Sequence, residues 1–431
     1  METVSIIILI VSFVFLLLRG VPVAYSIGIS AILTLLTTVD PIAAFTTIAQ
    51  RMATGLDSFS LLAIPMFVLA GQIMNKGGIA FRLIEFAKLL VGWVPGGLFF
   101  VNIFSNMLFG SISGSAIASV SAIGGFMGPL MKKEGYDEKL SASTNITSSV
   151  TGLLIPPSNV LIVYSLASGG VSIGALFMAG YIPGILLGIG LMIVSAYYSK
   201  KLNYPVTKGT TFKGALSTSI KAIPSLSLLF VIIGGIVSGI FTATEASGIA
   251  VVYALILTLI YKELKLTEIP QILLDASKTT AIVVLLVGAS MGMSWVMSYL
   301  NIPQTVAEAL LSFSDSKVVI LLLITFILLF VGTFMDITPA VLIFTPIFLP
   351  VVMKLGVDPI HFGIILIMNL SIGLVTPPVG TVLFVGASIA KLKIEDLFKS
   401  MLPYYLAMIV VLLIITFSEK LVLFIPNIFG M

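Results

Sequence analysis

Apolar runs recur along the whole chain, and most are about 17–25 residues long, enough to cross a bilayer as a helix. In the first half they fall near residues 4–19, 23–39, 58–75, 79–92, 95–112, 115–131, 140–167 and 173–198. They resume near 223–241, 246–261, 279–300, 318–334, 338–353, 359–389 and 400–425. The pattern predicts helices throughout. A polar stretch at 199–221 divides the chain in two. Segments 42–56 and 264–278 are amphipathic and are expected to lie along a membrane surface.

The two halves share more than hydropathy. At an offset of 221, Pro129, Lys133, Gly135, Asp137, Gly152, Leu153, Pro156, Pro157, Leu176 and Phe177 meet the same residue types in the second half. "GLLIPPSN" at 152–159 thus has a twin in "GLVTPPVG" at 373–380. Two double prolines and their glycines in one register predict an internal repeat.

Composition narrows the class. Of the 431 residues 58% are hydrophobic and 9% charged, with a mean hydropathy of +1.20. Soluble domains carry about 25% charged residues. The chain reads as a polytopic membrane protein, and its charge of +4 reflects orientation in the membrane, with no nucleic-acid partner. Cysteine is absent, which excludes disulfides and thiolate metal sites. The only histidine, His361, starts an apolar block and reads as an interfacial side chain. "METVSIIILIVSFVFLLLRG" has neither a basic leader nor a cleavage site, so it reads as a retained span.

Charge then gives topology. The 199–221 stretch holds Lys200, Lys201, Lys208, Lys213 and Lys221 and no acid, so it is expected in the cytoplasm. The loop before Phe177 is uncharged, whereas its twin before Phe398 holds Lys391, Lys393 and Lys399. Equivalent loops on opposite sides mean inverted repeats, 1–198 and 222–431. Threading the chain makes 95–131 and 318–353 re-entrant hairpins and leaves only Arg51, Lys317, Lys354 and Lys420 outside. Blocks 140–167 and 359–389 then become broken helices. The N-terminus falls on the periplasmic side of a bacterial inner membrane.

Both hairpin tips are polar: "FGSISGSAIASVSAIGG" at 109–125, with Ser111, Ser113, Gly114 and Ser115, and "VGTFMDITPAVLIFTP" at 331–346, with Gly332, Thr333, Asp336 and Thr338. Non-helical backbone at membrane depth is tolerated where it lines a cavity or is buried in protein. A proline in a helix frees carbonyls upstream, here those of about 152–155 and 373–376. Carbonyl and hydroxyl oxygens suit Na⁺, and half-helix N-termini suit anions; paired interrupted helices point to a secondary transporter. Plainer readings exist. Serines and glycines also mediate close helix packing, and Asp336 is also a good helix cap. Glu245, three residues after Thr242, reads as a capping box. Asp57 reads as a cap before "SFSLLAIP".

These stretches, with "LDSFSLLAIPMFVLAG" (56–71), "VGWVPGGL" (91–98), "LFMAGYIPGIL" (176–186) and "GIFTATEASGIAVVYAL" (239–255), occur in order over nearly the whole chain. The sequence resembles the large membrane subunit, DctM or SiaM type, of the tripartite ATP-independent periplasmic (TRAP) transporters. The resemblance implies an elevator-type, sodium-coupled importer, related in architecture to the divalent anion:sodium symporters. It implies a DctP/SiaP-type periplasmic binding protein that delivers the substrate, and a separate four-helix DctQ/SiaQ-type membrane subunit. Carried over, Ser113 and Ser115 with Gly152, Ile155 and Pro157 would form one sodium site. Gly332, Thr333, Asp336 and Thr338 with Gly373, Thr376 and Pro378 would form another. Ser111, Ser158, Asn159, Gly380 and Thr381 would face the substrate. Family members often continue the first tip with Ser-Pro-Ala-Thr, where this chain has Ser115, Ala116, Ile117 and Ala118. A ligand from that extra Thr is not available here.

Family substrates include C4-dicarboxylates, keto acids and sialic acids. The three arginines, Arg19, Arg51 and Arg82, all lie away from the midplane. A hydroxyl-rich, cation-poor site leans towards an acidic sugar such as sialic acid. The alternative is a stand-alone anion:sodium symporter without partner subunits. An intramembrane protease would need a Ser–His pair, two aspartates or a HExxH zinc site, which this sequence does not supply.

Overall fold

The computed structural model describes residues 2–204, 212–314 and 316–431. Lys208 of the expected cytoplasmic stretch lies outside the described residues. In the first half the helices are α1 (Glu2–Leu18), α2 (Val23–Leu35), α3 (Pro41–Leu56), α4 (Ala63–Lys76), α5 (Ile79–Val91), α6 (Gly97–Ser113), α7 (Ala116–Lys133), α8 (Glu138–Ser149), α9 (Asn159–Ala167) and α10 (Ile173–Lys201). The second half holds α11 (Phe212–Val237), α12 (Ala243–Ile260), α13 (Ile269–Tyr299), α14 (Ile302–Phe313), α15 (Lys317–Gly332), α16 (Ile337–Lys354), α17 (Pro359–Gly373), α18 (Thr381–Ala390) and α19 (Ile394–Phe417), followed by the short α20 (Glu419–Val422) and α21 (Phe424–Ile428). Seven helices among the described residues are long and apolar enough to cross a membrane. The protein is an all-helical, multi-pass membrane protein.

Helix boundaries repeat at the offset read from the sequence. α7 and α16 start and stop in the same register, as do the starts of α8 and α17 and of α10 and α19. The cause is local. Gly135 and Gly356 take φ of +79° and +71° just past the ends of α7 and α16, the left-handed position where glycine ends a helix cheaply. Asp137 and Asp358 then cap the next helices. Asp137 accepts from the Leu140 amide at 2.8 Å, and Asp358 from the Ile360 amide at 2.7 Å. Both satisfy N–H groups that a helix start leaves open.

The helices form two groups. α1–α4 pack with α11–α13, chiefly through α4 on α12 and through α13 on α2 and α3. α6–α10 pack with α15–α19, chiefly through α6 on α7 and α8, α15 on α17, and α19 on α8 and α10. α5 and α14 bridge the groups: α5 lies on α6 and α11, and α14 on α16 and α13.

Four expectations need correction. Residues 264–278 do not form a separate surface helix, because from Ile269 they run unbroken into the 31-residue α13. The matching segment of the first half does break, between α3 and α4. Helix α14 falls between the apolar blocks. Its start follows Asn301 at φ +52°, and its apolar face is too narrow to register as a run. Asp57 ends α3 and does not cap the next turn. His361 is 1% exposed, with Nε2 2.8 Å from the Ile415 carbonyl on α19, so it is a packed side chain and not an interfacial one. The Glu245 capping box is present: Thr242 Oγ1 accepts from the Glu245 amide, and the Thr242 amide donates to the carboxylate.

Candidate functional site: two hairpin tips, two broken helices and one cavity

α6 and α7 form the first hairpin. Gly114 at φ +61° ends α6, and Ser115 caps α7 by accepting from the Ala118 amide at 3.2 Å. α15 and α16 form the second, and Asp336 caps α16 by accepting from the Ile337 amide at 2.9 Å. Ser115 and Asp336 occupy the same register of the two halves. The first broken helix is α8, a 3-10 turn at Val150–Leu153, the double proline and α9. The second is α17, its double proline and α18. The Pro156–Pro157 and Pro377–Pro378 bonds are both cis.

Each tip seats on its own broken helix in two places. A Cβ on Gly152 would lie 2.2 Å from Gly110 Cα, and one on Gly373 would lie 2.4 Å from the Gly332 carbonyl carbon. Only glycine permits backbones this close. One step on, Gly114 packs on the start of α9, where a Cβ would meet Asn159 Nδ2 at 3.0 Å. In the second half the Gly380 amide, at the start of α18, donates to the Thr333 carbonyl at 3.1 Å. The structure therefore pairs Ser113 and Ser115 with the first break and Thr333 with the second.

Both tips meet in one cavity of about 440 Å³. Its wall takes Ser113 and Ser115 from the first tip, Asp336 and Thr338 from the second, and Asn159 from α9. Asp336 is exposed to this space. More of the wall comes from α7, with Ser121, and from α4 and α13, which contribute the polar Gln72, Asn75 and Thr279. Those three escaped the sequence reading. Their signal is polar residues interrupting apolar helices, but only the fold shows what they face. Among the described residues the wall holds one carboxylate and no Lys or Arg.

The other predicted residues lie behind this wall. Ser111 is 1% exposed and donates to the Leu108 carbonyl, and Ser158 is fully buried and donates to Leu153 at 2.6 Å. Thr376 donates to Ile372 at 2.7 Å. Gly152, Ile155 and Pro157 are buried at the first break, and Gly332, Gly373 and Gly380 at the second, while Pro378 is exposed. Among the described residues, Thr381 Oγ1 is buried without a hydrogen-bond partner beside Gly380, and Asn369 Oδ1 is likewise unpartnered on α17. A buried hydroxyl or amide oxygen left open costs about 1–3 kcal/mol. Neutral oxygens of this kind fit a small hard monovalent cation.

Comparison with known proteins places the chain. Residues 10–421 match the family described as tripartite ATP-independent periplasmic transporter, DctM component. YgiK of Salmonella typhimurium is 54% identical over 425 residues, covering 99% of this chain and 98% of that one. The 2,3-diketo-L-gulonate TRAP transporter large permease protein YiaN of Escherichia coli is 39% identical over 376 residues, covering 87% and 88%. The solved YdaH transporter of Alcanivorax borkumensis shares the fold, with a TM-score of 0.68 at 14% identity over 89% of this chain and 90% of that one.

Proposed function

Because the chain belongs to the DctM family of tripartite ATP-independent periplasmic transporters, we propose that it carries a small organic anion into the cell by sodium-coupled, elevator-type movement. Membership makes it a multi-pass permease and implies a small membrane subunit and a periplasmic binding protein as partners. The DctQ/SiaQ and DctP/SiaP types are the partners we assign, in a bacterial inner membrane with the N-terminus in the periplasm.

The observation that carries the reading is the cavity wall. Asp336 is its only charged group among the described residues. An anion entering that space meets a like charge with no fixed cation to offset it. At about 4 Å, two unit charges interact by about 4 kcal/mol at an effective dielectric of 20. A bound cation at each tip would supply the missing positive charge. Ser113 and Ser115 with the carbonyls near Gly152, Ile155 and Pro157 would hold one. Gly332, Thr333, Asp336, Thr338 and the carbonyls near Gly373, Thr376 and Pro378 would hold the other, with Thr381 Oγ1 close by. Asn159 at the start of α9 offers the anion a side-chain amide.

The two inverted repeats, 1–198 and 222–431, would divide the labour. Hairpins and broken helices, packed together, would move as one body past α1–α4 and α11–α13. A sialic acid or a C4-dicarboxylate fits a wall of amides and hydroxyls. The relative named for 2,3-diketo-L-gulonate points to the same hydroxylated acid chemistry.

Reconstitution of the chain with both partners in proteoliposomes tests the reading. Uptake of the anion selected by the binding protein should require an inward sodium gradient. Unchanged uptake in sodium-free buffer at fixed pH would overturn the coupling. Uptake by this chain alone would favour a stand-alone symporter.

A further inference from the structure

We propose that Gln72, Asn75 and Thr279 form a release lip at the cytoplasmic mouth of the central cavity. There the departing anion exchanges its contacts at the hairpin tips for side-chain amide donors of the static helix group, with the Thr279 hydroxyl beside them. The inference rests on the uptake reading above and adds the residues through which the substrate leaves.

Four observations carry it. First, all three side chains line the cavity that holds both tips. Second, Gln72 and Asn75 lie in a helix that is otherwise apolar there. α4 reads "AIPMFVLAGQIMNK", and Gln72 and Asn75 are its polar positions before Lys76. Polar side chains inside a membrane helix face a bundle interior or a water-filled space. Third, they are open to contact. Gln72 is half-buried, Asn75 and Thr279 are exposed, and among the described residues neither amide has a hydrogen-bond partner, while the Thr279 hydroxyl donates to the Asp275 carbonyl at 3.0 Å. Fourth, they lie in the half of each helix that adjoins basic residues. α4 ends at Lys76 and is followed by Arg82 and Lys88, while α13 follows Lys262 and Lys265 and carries Lys278 beside Thr279. Such clusters mark the cytoplasmic side.

The repeat supplies an internal control. In the register of the second half, Gln72 and Asn75 correspond to Met293 and Val296, which are 3% and 0% exposed. Thr279 corresponds to Ser58, so the asymmetry rests on the two amides. The static group therefore offers amide donors where the anion leaves and none at the matching position of the other half. Neutral amides hold a carboxylate loosely enough to let it go. The first tip is already seated against this lip: a Cβ on Gly71, next to Gln72, would lie 3.1 Å from the Ser113 carbonyl oxygen.

The chain has no cysteine, so single-cysteine variants report access directly. Gln72→Cys, Asn75→Cys and Val296→Cys are expressed with the small subunit and treated in sodium buffer with a membrane-impermeant maleimide, using right-side-out and inside-out vesicles. Gln72→Cys and Asn75→Cys should react from the cytoplasmic face, and Val296→Cys from neither. At Asn75→Cys an anionic methanethiosulfonate should react about threefold faster relative to a cationic one than at the exposed Leu202→Cys control. Labelling from the periplasmic face alone, no labelling, or an equal or reversed charge preference would each overturn the lip. None of these measurements uses transported substrate. The lip can therefore fail while sodium-driven uptake stands, and uptake can fail while the lip stands.

Discussion

The two broken helices follow one backbone plan but are supported differently. At the first, every residue from Thr151 to Ser158 is buried. The Leu154 carbonyl and the Ile155 side chain press on α10, where added Cβ atoms at Gly180 and Gly184 would lie 2.1 Å from Leu154 O and 2.4 Å from Ile155 Cγ1. At the second, Pro378 and Val379 are exposed. Here α19 presents Tyr405, in the register of Gly184, and its hydroxyl donates to the Val375 carbonyl at 2.5 Å. Val375 is in the register of Leu154. One half closes the gap with glycine and close packing, the other with a side-chain donor. The same fold element tolerates both supports.

The largest expected effect tests the contacts the halves share. Gly152→Ala places a methyl into backbone that cannot step aside, at a cost of about 3 kcal/mol. It should lower the melting temperature in detergent and abolish uptake. Gly373→Ala should cost less, since the second break has exposed residues free to shift. The reverse order would contradict the contrast between a packed and an open break.

Tyr405→Phe comes next. It leaves the buried Val375 carbonyl without its donor, at about 2 kcal/mol. Thermal melting should show the loss, and Gly184→Ala should be milder because the atom it meets is the side chain of Ile155. Equal losses would mean the two supports are interchangeable.

Asp336→Ser makes the second tip resemble Ser115 of the first. Serine keeps a cap but removes the one charge that the described residues bring to the cavity. The half-saturating sodium concentration for uptake should rise about tenfold, or about 1.4 kcal/mol. An unchanged sodium dependence would assign Asp336 to capping alone.

The smallest effect is alkaline. Tyr136 and Tyr204 stack with ring centroids 4.4 Å apart at the loop below the first hairpin, and Phe99 meets both edge-on. Their counterparts, Val357, Ile425 and Ile320, build no such cluster. Burial pushes both phenols above the ordinary tyrosine range. A raised folded pKa contributes stability below the unfolded value, near 10, that is lost as pH rises through the folded one. Melting curves between about pH 8 and 11 should therefore steepen in their decline at the alkaline end. Tyr136→Phe with Tyr204→Phe should flatten that decline.

Much of this was legible because it is local. A left-handed glycine followed by an aspartate cap stops one helix and starts the next by short-range bonds alone, so Gly135–Asp137 and Gly356–Asp358 announced their turns. A proline pair breaks a helix wherever it stands, and its twin at a fixed offset exposed the repeat. The polar tips were visible as hydroxyls and one aspartate in apolar runs. Glu245 announced its capping box from spacing alone. Other features depended on what lies across the bundle. Nothing near Gly110 in sequence says that Gly152 will rest on it. Ser158 looked like a substrate contact, yet a carbonyl five residues back engages its hydroxyl. His361 looked interfacial until α19 packed over it. Gln72, Asn75 and Thr279 are ordinary polar residues until two hairpin tips arrive opposite them. The sequence by itself determined the membrane class, most of the helices and the proline breaks, since hydropathy, caps and prolines act within a few residues. Only the tertiary structure decided which oxygens face the cavity, because a side chain's partners there come from helices far away in the chain.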